Sequence, residues 1–192
     1  MDDALLAAAD HHIVPILKRI KKLDLNLRFH CPNGLHCRFL TPDVARLMAA
    51  NRFEMIRLSY ESSDQSLYWR EASDYKVSDR IFHEAVENLL AAGFRPDQLD
   101  AYILTGLPGQ TLDECERSAR AVHDLGLKIR LCQYSPIPNT PLFERACREY
   151  GVDSEEPLLH NNTILPTLDR RVGFETFQRF KNRVDQMNHS LA

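Results

Sequence analysis

Two histidine–cysteine pairs lie close together in the amino-terminal part of the chain. His30 and Cys31 are followed, after a Pro-Asn-Gly turn signal, by His36 and Cys37. Imidazole nitrogen and thiolate sulfur are the ligands that zinc prefers, so this group could hold a metal ion. The Cys-x₂-Cys spacing of structural zinc sites is absent, and free thiols and imidazoles at a strand end explain the same residues. We assign no metal ligands here and keep a zinc-dependent α/β enzyme as an alternative.

A glycine loop near the middle of the chain offers a second kind of chemistry. An apolar, β-prone run ends at Gly106, continues through Leu107-Pro108-Gly109, and restarts as a helix. Thr111 and Glu114 are spaced as a capping box, which predicts the start of that helix. A strand, a glycine loop and a capped helix form one β/α unit, and ligands bind at the carboxyl ends of such strands. The loop lacks the lysine of a P-loop and the third glycine of a dinucleotide fingerprint, so phosphate binding is unsupported.

The same unit recurs along the sequence. Periodicity and turn residues predict strands over 25–31, 54–60, 100–105 and 127–134, the first ending at Pro32–Gly34. Four residues have the position and type of helix N-caps: Thr41, Ser78, Thr111 and Thr140. Strands that alternate with helices predict an α/β fold with a parallel sheet. We expect a partial (β/α) barrel with outer helices over 1–151, then an extension, 152–192, with an amphipathic helix over 173–191.

The carboxyl ends of parallel strands meet at one edge of a sheet, here named the rim. The residues expected there are Cys31, Asn33, Ser59, Glu61, Ser62, Thr105, Gly106, Gly109, Gln133 and Ser135, with Asp2 and Asp3 one unit earlier. This polar set with a well-placed carboxylate suits ribose hydroxyls or an amino-acid-like group. The alternative is that these loop residues only satisfy backbone groups and water.

Composition narrows the class of protein. The chain has 192 residues, 44% hydrophobic and 27% charged, with a formal net charge of −3, which suits a globular protein and gives no reason to expect nucleic-acid binding. No apolar run approaches the roughly 20 residues of a membrane helix. The acidic Asp2 is the wrong sign for a signal peptide. Five irregularly spaced cysteines indicate reduced thiols, so we expect a cytoplasmic protein.

Five segments, in this order, resemble the radical S-adenosylmethionine superfamily, and most closely its B12-associated or elongator-like members. They are Asp2-Asp3-Ala4-Leu5-Leu6, Arg28-Phe29-His30 with Pro32-Asn33-Gly34-Leu35-His36, Ile56-Arg57-Leu58-Ser59-Tyr60-Glu61-Ser62, Leu104-Thr105-Gly106-Leu107-Pro108-Gly109-Gln110-Thr111, and Ser135-Pro136-Ile137-Pro138-Asn139-Thr140-Pro141-Leu142. The resemblance covers nearly all of 2–151. It rests on the order and unit spacing of motifs that are individually loose.

The resemblance implies a cofactor and a place for it. In that superfamily a partial (β/α)₆ barrel holds S-adenosylmethionine on a 4Fe–4S cluster, and reductive cleavage gives a 5′-deoxyadenosyl radical. By position, Glu61 with Ser59 and Ser62 resembles the group that meets the ribose or methionine part. Gly106 to Gly109 resembles the turn beside the adenine, Gln133 to Ser135 the adenine contact of the next strand, and Asp2 with Asp3 the group that binds the methionine amine.

One element of the family pattern is missing. The cluster motif Cys-x₃-Cys-x₂-Cys does not occur in the sequence, and Cys31 and Cys37, on a later strand, are separated by five residues. Without three thiolates the cluster has no protein ligands. We therefore expect the carboxyl-terminal part of a radical S-adenosylmethionine enzyme, starting midway through a unit and inactive as it stands. The alternatives are the zinc enzyme and a non-catalytic module that binds a nucleoside or adenine, or a partner protein.

A barrel shortened in this way would expose one edge strand. An unpaired edge is a template for another strand, so proteins cover it. We expect the carboxyl-terminal helix or a second copy of the chain to cover the edge where earlier units would lie. The expected partners are thus a small-molecule cofactor and a possible homodimer, with no nucleic acid and no membrane.

Overall fold

The computed structural model describes residues 5–23, 25–63, 77–160 and 172–191. In these residues four parallel strands form one sheet in chain order: β1 (Phe29–His36), β2 (Phe53–Glu61), β3 (Leu99–Thr105) and β4 (Lys128–Gln133). The α-helices are α1 (Ile13–Lys22), α2 (Pro42–Ala50), α3 (Asp79–Ala91), α4 (Leu112–His123), α5 (Pro141–Tyr150) and α6 (Gly173–Ser190). Short 3₁₀ helices cover Ala9–His11, Cys37–Phe39, Pro96–Gln98 and Pro157–His160.

This architecture confirms the predicted fold class. Helices α2, α3 and α4 each lie between consecutive strands, as β/α units require, and the sheet is wholly parallel. The arrangement is consistent with a partial (β/α) barrel followed by a carboxyl-terminal helix. The division of the chain at residue 151 stays a prediction.

The four predicted N-caps all form. Each side-chain oxygen accepts a hydrogen bond from an amide three residues later, in the order Thr41–Val44, Ser78–Ile81, Thr111–Glu114 and Thr140–Phe143, at 3.2 to 3.3 Å. The Glu114 carboxylate also accepts from the Thr111 amide, which completes the predicted capping box. Each cap satisfies an amide that has no partner inside its helix and fixes where the helix begins.

The two faces of the sheet differ in character. Alternate residues of β2 and β3 are fully buried and apolar, including Ile56, Leu58, Ala101 and Ile103. These residues share one core with helix residues such as Phe82, Leu89 and Val122. The remaining positions of β2, β3 and β4 are largely polar, for example Arg57, Ser59, Asp100, Tyr102 and Arg130. We name the first face the outer face and the second the inner face.

Strand β1 differs from the prediction. It begins at Phe29 rather than at residue 25, and it continues through Pro32–Gly34 to His36. The pairing with β2 shifts between Cys31 and Gly34, so Pro32 and Asn33 bulge out of the ladder before Gly34 pairs with Arg57. A proline is tolerated at a bulge in an edge strand because no ladder hydrogen bond is lost there. A β-carbon at Gly34 would lie 2.1 Å from the Ser59 Oγ, so only glycine allows this close approach.

The carboxyl-terminal helix covers the opposite edge from the one expected. Helix α6 packs on α4 and β4, with Phe177, Phe180 and Val184 buried. The Asn188 side chain accepts from the Ile129 amide at 2.7 Å and donates to the Ile129 carbonyl at 3.0 Å. It thus replaces the missing neighbour strand of β4 at this point. The expectation that this helix covers β1 is wrong, since β1 is the other edge of the sheet.

Asn188→Ala should lower the free energy of unfolding by about 2 kcal/mol, because it leaves two buried backbone groups of Ile129 without partners. Asn182 is the matched control, since it lies exposed on the same helix and bonds only Gln178 within the described residues. Asn182→Ala should cost less than about 0.5 kcal/mol. Urea unfolding followed by circular dichroism measures both, and equal losses would contradict the role of Asn188.

Candidate functional site

The strand ends place part of the predicted set at one rim. His36 pairs with Ser59, Glu61 with Ile103, and Thr105 with Gln133, so the carboxyl ends of the four strands are adjacent. Asn33 does not reach the rim, because the bulge carries it before the end of β1, near the level of Arg57. Asp2 and Asp3 lie outside the described residues.

Glu61 has the most unusual backbone of the predicted residues. It is exposed at the end of β2, with a φ of 68°. The Ser62 amide donates to the Tyr60 carbonyl at 2.9 Å, so Glu61 is the central residue of a three-residue γ-turn. A left-handed conformation costs a residue other than glycine about 1–3 kcal/mol, and it persists only where neighbouring structure imposes it. The residue is exposed, and its charge lies close enough to Cys132 and Cys37 to raise the pKa of both thiols.

Neighbours fix this turn on both sides. Before it, Tyr60 is buried, stacks on Phe82 at 4.2 Å between ring centroids, and donates to the Asp79 carboxylate at 2.6 Å. Burial, and then the bond to Asp79, raise the pKa of Tyr60 above its ordinary value, so the hydroxyl stays protonated. After it, the Ser63 amide donates to the Ser118 Oγ of α4 at 2.9 Å. Helices α3 and α4 therefore hold the strand end in the strained form.

The backbone amides of the glycine loop form hydrogen bonds largely within the protein itself. Leu107 to Gln110 forms a turn closed by a 2.9 Å hydrogen bond from the Gln110 amide to the Leu107 carbonyl, with Gly109 at a φ of 83°. Glycine suits this position because the third residue of a type II turn needs a positive φ. The Gly109 amide donates to the Tyr150 hydroxyl at 2.6 Å, and the Gly106 amide donates to the Cys115 sulfur. These amides point into the protein, so the loop is better explained by turn geometry than by ligand contact.

Thr105 also has a role within the fold. Its side chain is fully buried and donates to the Cys132 carbonyl at 3.3 Å, while its own carbonyl accepts from the Tyr134 amide at 2.9 Å. These bonds join the ends of β3 and β4. Gln133 and Ser135 follow at the same rim and are partly exposed. Of the predicted residues, Ser59, Glu61, Gly109, Gln133 and Ser135 thus remain accessible, whereas Ser62 and Gly106 are buried.

Tyr134, between Gln133 and Ser135, is a residue that the sequence did not single out. Its hydroxyl is buried and has no hydrogen-bond partner among the described residues. Burial, with a contribution from nearby Cys147, raises the pKa of Tyr134 to about 12, so it is a neutral donor at physiological pH. Buried hydroxyls are nearly always bonded. The Tyr134 hydroxyl is therefore an exception that no contact among the described residues explains.

The histidines and cysteines of β1 do not form a metal centre. His30 lies 3.4 Å from the Glu54 carboxylate, while His36 accepts a hydrogen bond from the Arg38 amide at 3.3 Å. Cys31 and Cys37 are buried, and the Cys37 sulfur donates to the Ser59 carbonyl at 3.5 Å. Within the described ranges no group of three or more histidine, cysteine or acidic side chains is arranged to hold a metal ion.

The cysteines do not fit an iron–sulfur cluster either. Cluster ligands are thiolates, and burial raises the pKa of Cys115 to about 12 and that of Cys37 still further above its ordinary value. Cys132 is half-buried on β4, and its pKa is also raised, by burial and by Glu61. Cys37, Cys115 and Cys132 are therefore protonated thiols, and the five cysteines are dispersed over five elements.

A charged network on the inner face was not predicted. The Asp100 carboxylate accepts from the Arg57 Nε at 3.2 Å and the Arg130 Nε at 2.9 Å. The Pro32 carbonyl in the β1 bulge accepts from Arg57 at 2.7 Å and from the Tyr102 hydroxyl at 2.9 Å. Together these residues, here named the inner-face network, connect all four strands. Alternating polar residues in parallel strands were the available signal, because strands buried on both faces are apolar throughout.

No protein-family model and no curated protein matches the chain. Among the described residues, no helix combines the length and the apolar character that a membrane span requires. The case for a function therefore rests on the rim and the inner face.

Asp100→Asn should lower the free energy of unfolding by about 3 kcal/mol, because it leaves two guanidinium groups without their shared carboxylate. Asp97→Asn is the control, since Asp97 pairs with Arg95 on the exposed surface and should cost much less stability than Asp100→Asn. Thermal and urea unfolding of both variants measure the difference. A loss at Asp100 no larger than that at Asp97 would show that the network contributes little to stability.

Proposed function

We propose that the rim binds the adenosyl and methionine parts of S-adenosylmethionine, and that the chain is part of a radical S-adenosylmethionine enzyme. The motif order supports the family, and the parallel half-barrel is the fold that this family would require. The cysteines of this sequence do not fit the cluster, so its ligands would come from residues outside it. The contribution of this chain is to bind and orient the cofactor.

The observation that carries the proposal is the conformation of Glu61. A strained residue other than glycine at the carboxyl end of a parallel strand, held by two helices, is typical of a binding or catalytic position. Its exposed carboxylate can accept from two ribose hydroxyls or from an ammonium group. The resemblance assigns this position to the same parts of the cofactor.

The end of β4, two strands from Glu61, supplies a second support. Gln133 and Ser135 can donate to and accept from an adenine edge, and the unpaired hydroxyl of Tyr134 lies between them in the chain. The proposal includes fewer ligand-contacting residues than the sequence alone predicted. Thr105, Gly106 and Gly109 act through the shape of the loop, and Asn33 is not part of the rim.

A non-catalytic nucleoside-binding module is the second candidate. The poor fit of the cysteines to a cluster favours it, because the rim could bind adenosine compounds without radical chemistry. The two candidates share one site and differ in ligand preference. A radical enzyme should prefer S-adenosylmethionine, whereas a nucleoside module should bind adenosine equally well.

Glu61→Gln should weaken S-adenosylmethionine binding about tenfold, because the amide has no charge and can accept at only one atom. Glu54→Gln is the matched control at the other end of β2, where Glu54 pairs with Arg28 and His30, and should leave affinity unchanged. Isothermal titration calorimetry with S-adenosylmethionine, S-adenosylhomocysteine and adenosine measures each variant. Absence of binding to all three ligands would overturn the proposal.

Strand β1 is one edge of the sheet formed by the described residues, which supports a further part of the proposal, that a second copy of the chain covers this edge in a cytoplasmic homodimer. Exposed Leu25 and Leu27 precede this edge. All five cysteines are free thiols, which suits a reducing compartment. Light scattering should therefore give twice the chain mass, and a monomer at high concentration would contradict the dimer.

A further inference from the structure

Arg130 is held in place by one end of its guanidinium group. Its Nε donates to Asp100 at 2.9 Å, and no described residue bonds its two terminal nitrogens. Arg57, in contrast, uses its Nε on Asp100 and a terminal nitrogen on both Pro32 and Tyr102. The two arginines thus share one carboxylate, but among the described residues only Arg57 also donates hydrogen bonds to protein acceptors from a terminal nitrogen.

The anchor of Arg130 is a buried carboxylate. The side chain of Asp100 is only 4% exposed, whereas that of Arg130 is 45% exposed. A fixed Nε contact limits the rotation of the guanidinium plane, so its terminal nitrogens keep one direction. A planar pair of donors with one orientation matches the two oxygens of a carboxylate or phosphate.

The charges of the inner-face network also do not balance. Two guanidinium groups face one carboxylate in the inner-face network, which leaves one positive charge without a described counterion. Strand β4 has no acidic residue of its own, and its Lys128 interacts with Asp97, outside the inner-face network. An excess of positive charge beside a partly water-excluded face favours an anion.

We propose that Arg130 binds the anionic group, a carboxylate or a phosphate, of a ligand that lies on the inner face of the sheet. Arg130 precedes the end of β4 by three residues, which corresponds to about 10 Å along a strand. A ligand anchored there would extend toward the rim near Gln133. The proposal does not depend on the adenosyl site, because Arg130 and Asp100 are not among the residues of that site and the probes are simple anions.

Inorganic phosphate, acetate and chloride at equal ionic strength are the probes. The Nε–H signals of arginine side chains, observed by ¹⁵N NMR, should show a saturable shift of Arg130 with phosphate or acetate and none with chloride. Arg95, which forms two hydrogen bonds to Asp97, is the internal control and should not move. The preferred anion identifies the ligand class. Equal shifts with all three salts, or no shift of Arg130, would overturn the proposal.

Two variants separate binding from stability. Arg130→Lys keeps the charge beside Asp100 but loses the paired donors, and should weaken binding of the preferred anion about tenfold with little change in unfolding temperature. Arg95→Lys is the matched control and should leave binding unchanged. If Arg130→Lys binds as tightly as the original chain, Arg130 only balances the charge of Asp100 and the proposal fails. A failure of S-adenosylmethionine to bind would leave these measurements unaffected.

Discussion

The carboxylate of Asp100 is the contact on which the inner face depends. A carboxyl group this deeply buried needs partners that replace the lost water, and Arg57 and Arg130 supply them from the strands on either side. Arg57 extends the same network to the Pro32 carbonyl, so the β1 bulge is fixed by a charge on β3, two strands away. The sheet is thereby held across its strands by side chains as well as by its backbone ladder.

A different constraint holds the rim. The last residue of β2, Glu61, has a left-handed backbone conformation. It lies between two fixed points, the hydrogen bond from Tyr60 to Asp79 and the hydrogen bond from Ser63 to Ser118. Both fixed points belong to the helices that pack on the outer face. The outer core therefore holds the backbone of Glu61 in its left-handed conformation, so changes among the buried apolar residues of α3 or α4 would alter the rim.

Features that depend on residues close together in the sequence were predicted, whereas features that depend on residues far apart in the sequence were missed. Helix starts were predicted at Thr41, Ser78, Thr111 and Thr140 because a cap involves residues three positions apart. The path of β1 was not predicted, because Pro32–Gly34 has the local sequence pattern of a turn. Only the pairing of Gly34 with Arg57, and the space that Gly34 leaves for the Ser59 hydroxyl, continue the strand. Likewise, Glu61 could be placed from its strand, whereas the partners of Asp100 come from residues 30 and more positions away.

The division between the two faces bears on where chemistry can occur. On the outer face of β2 and β3 the residues are apolar and sealed by helices, which leaves no room for a ligand. On the inner face Ser59 follows Arg57 on β2, and Cys132 follows Arg130 on β4, so polar and reactive groups continue from the network to the rim. A parallel sheet gains no stability from polar residues in its middle unless they are paired, and Asp100 pairs them. The network thus makes a polar inner surface compatible with folding, and that surface ends at the carboxyl edge, where the strained Glu61 stands.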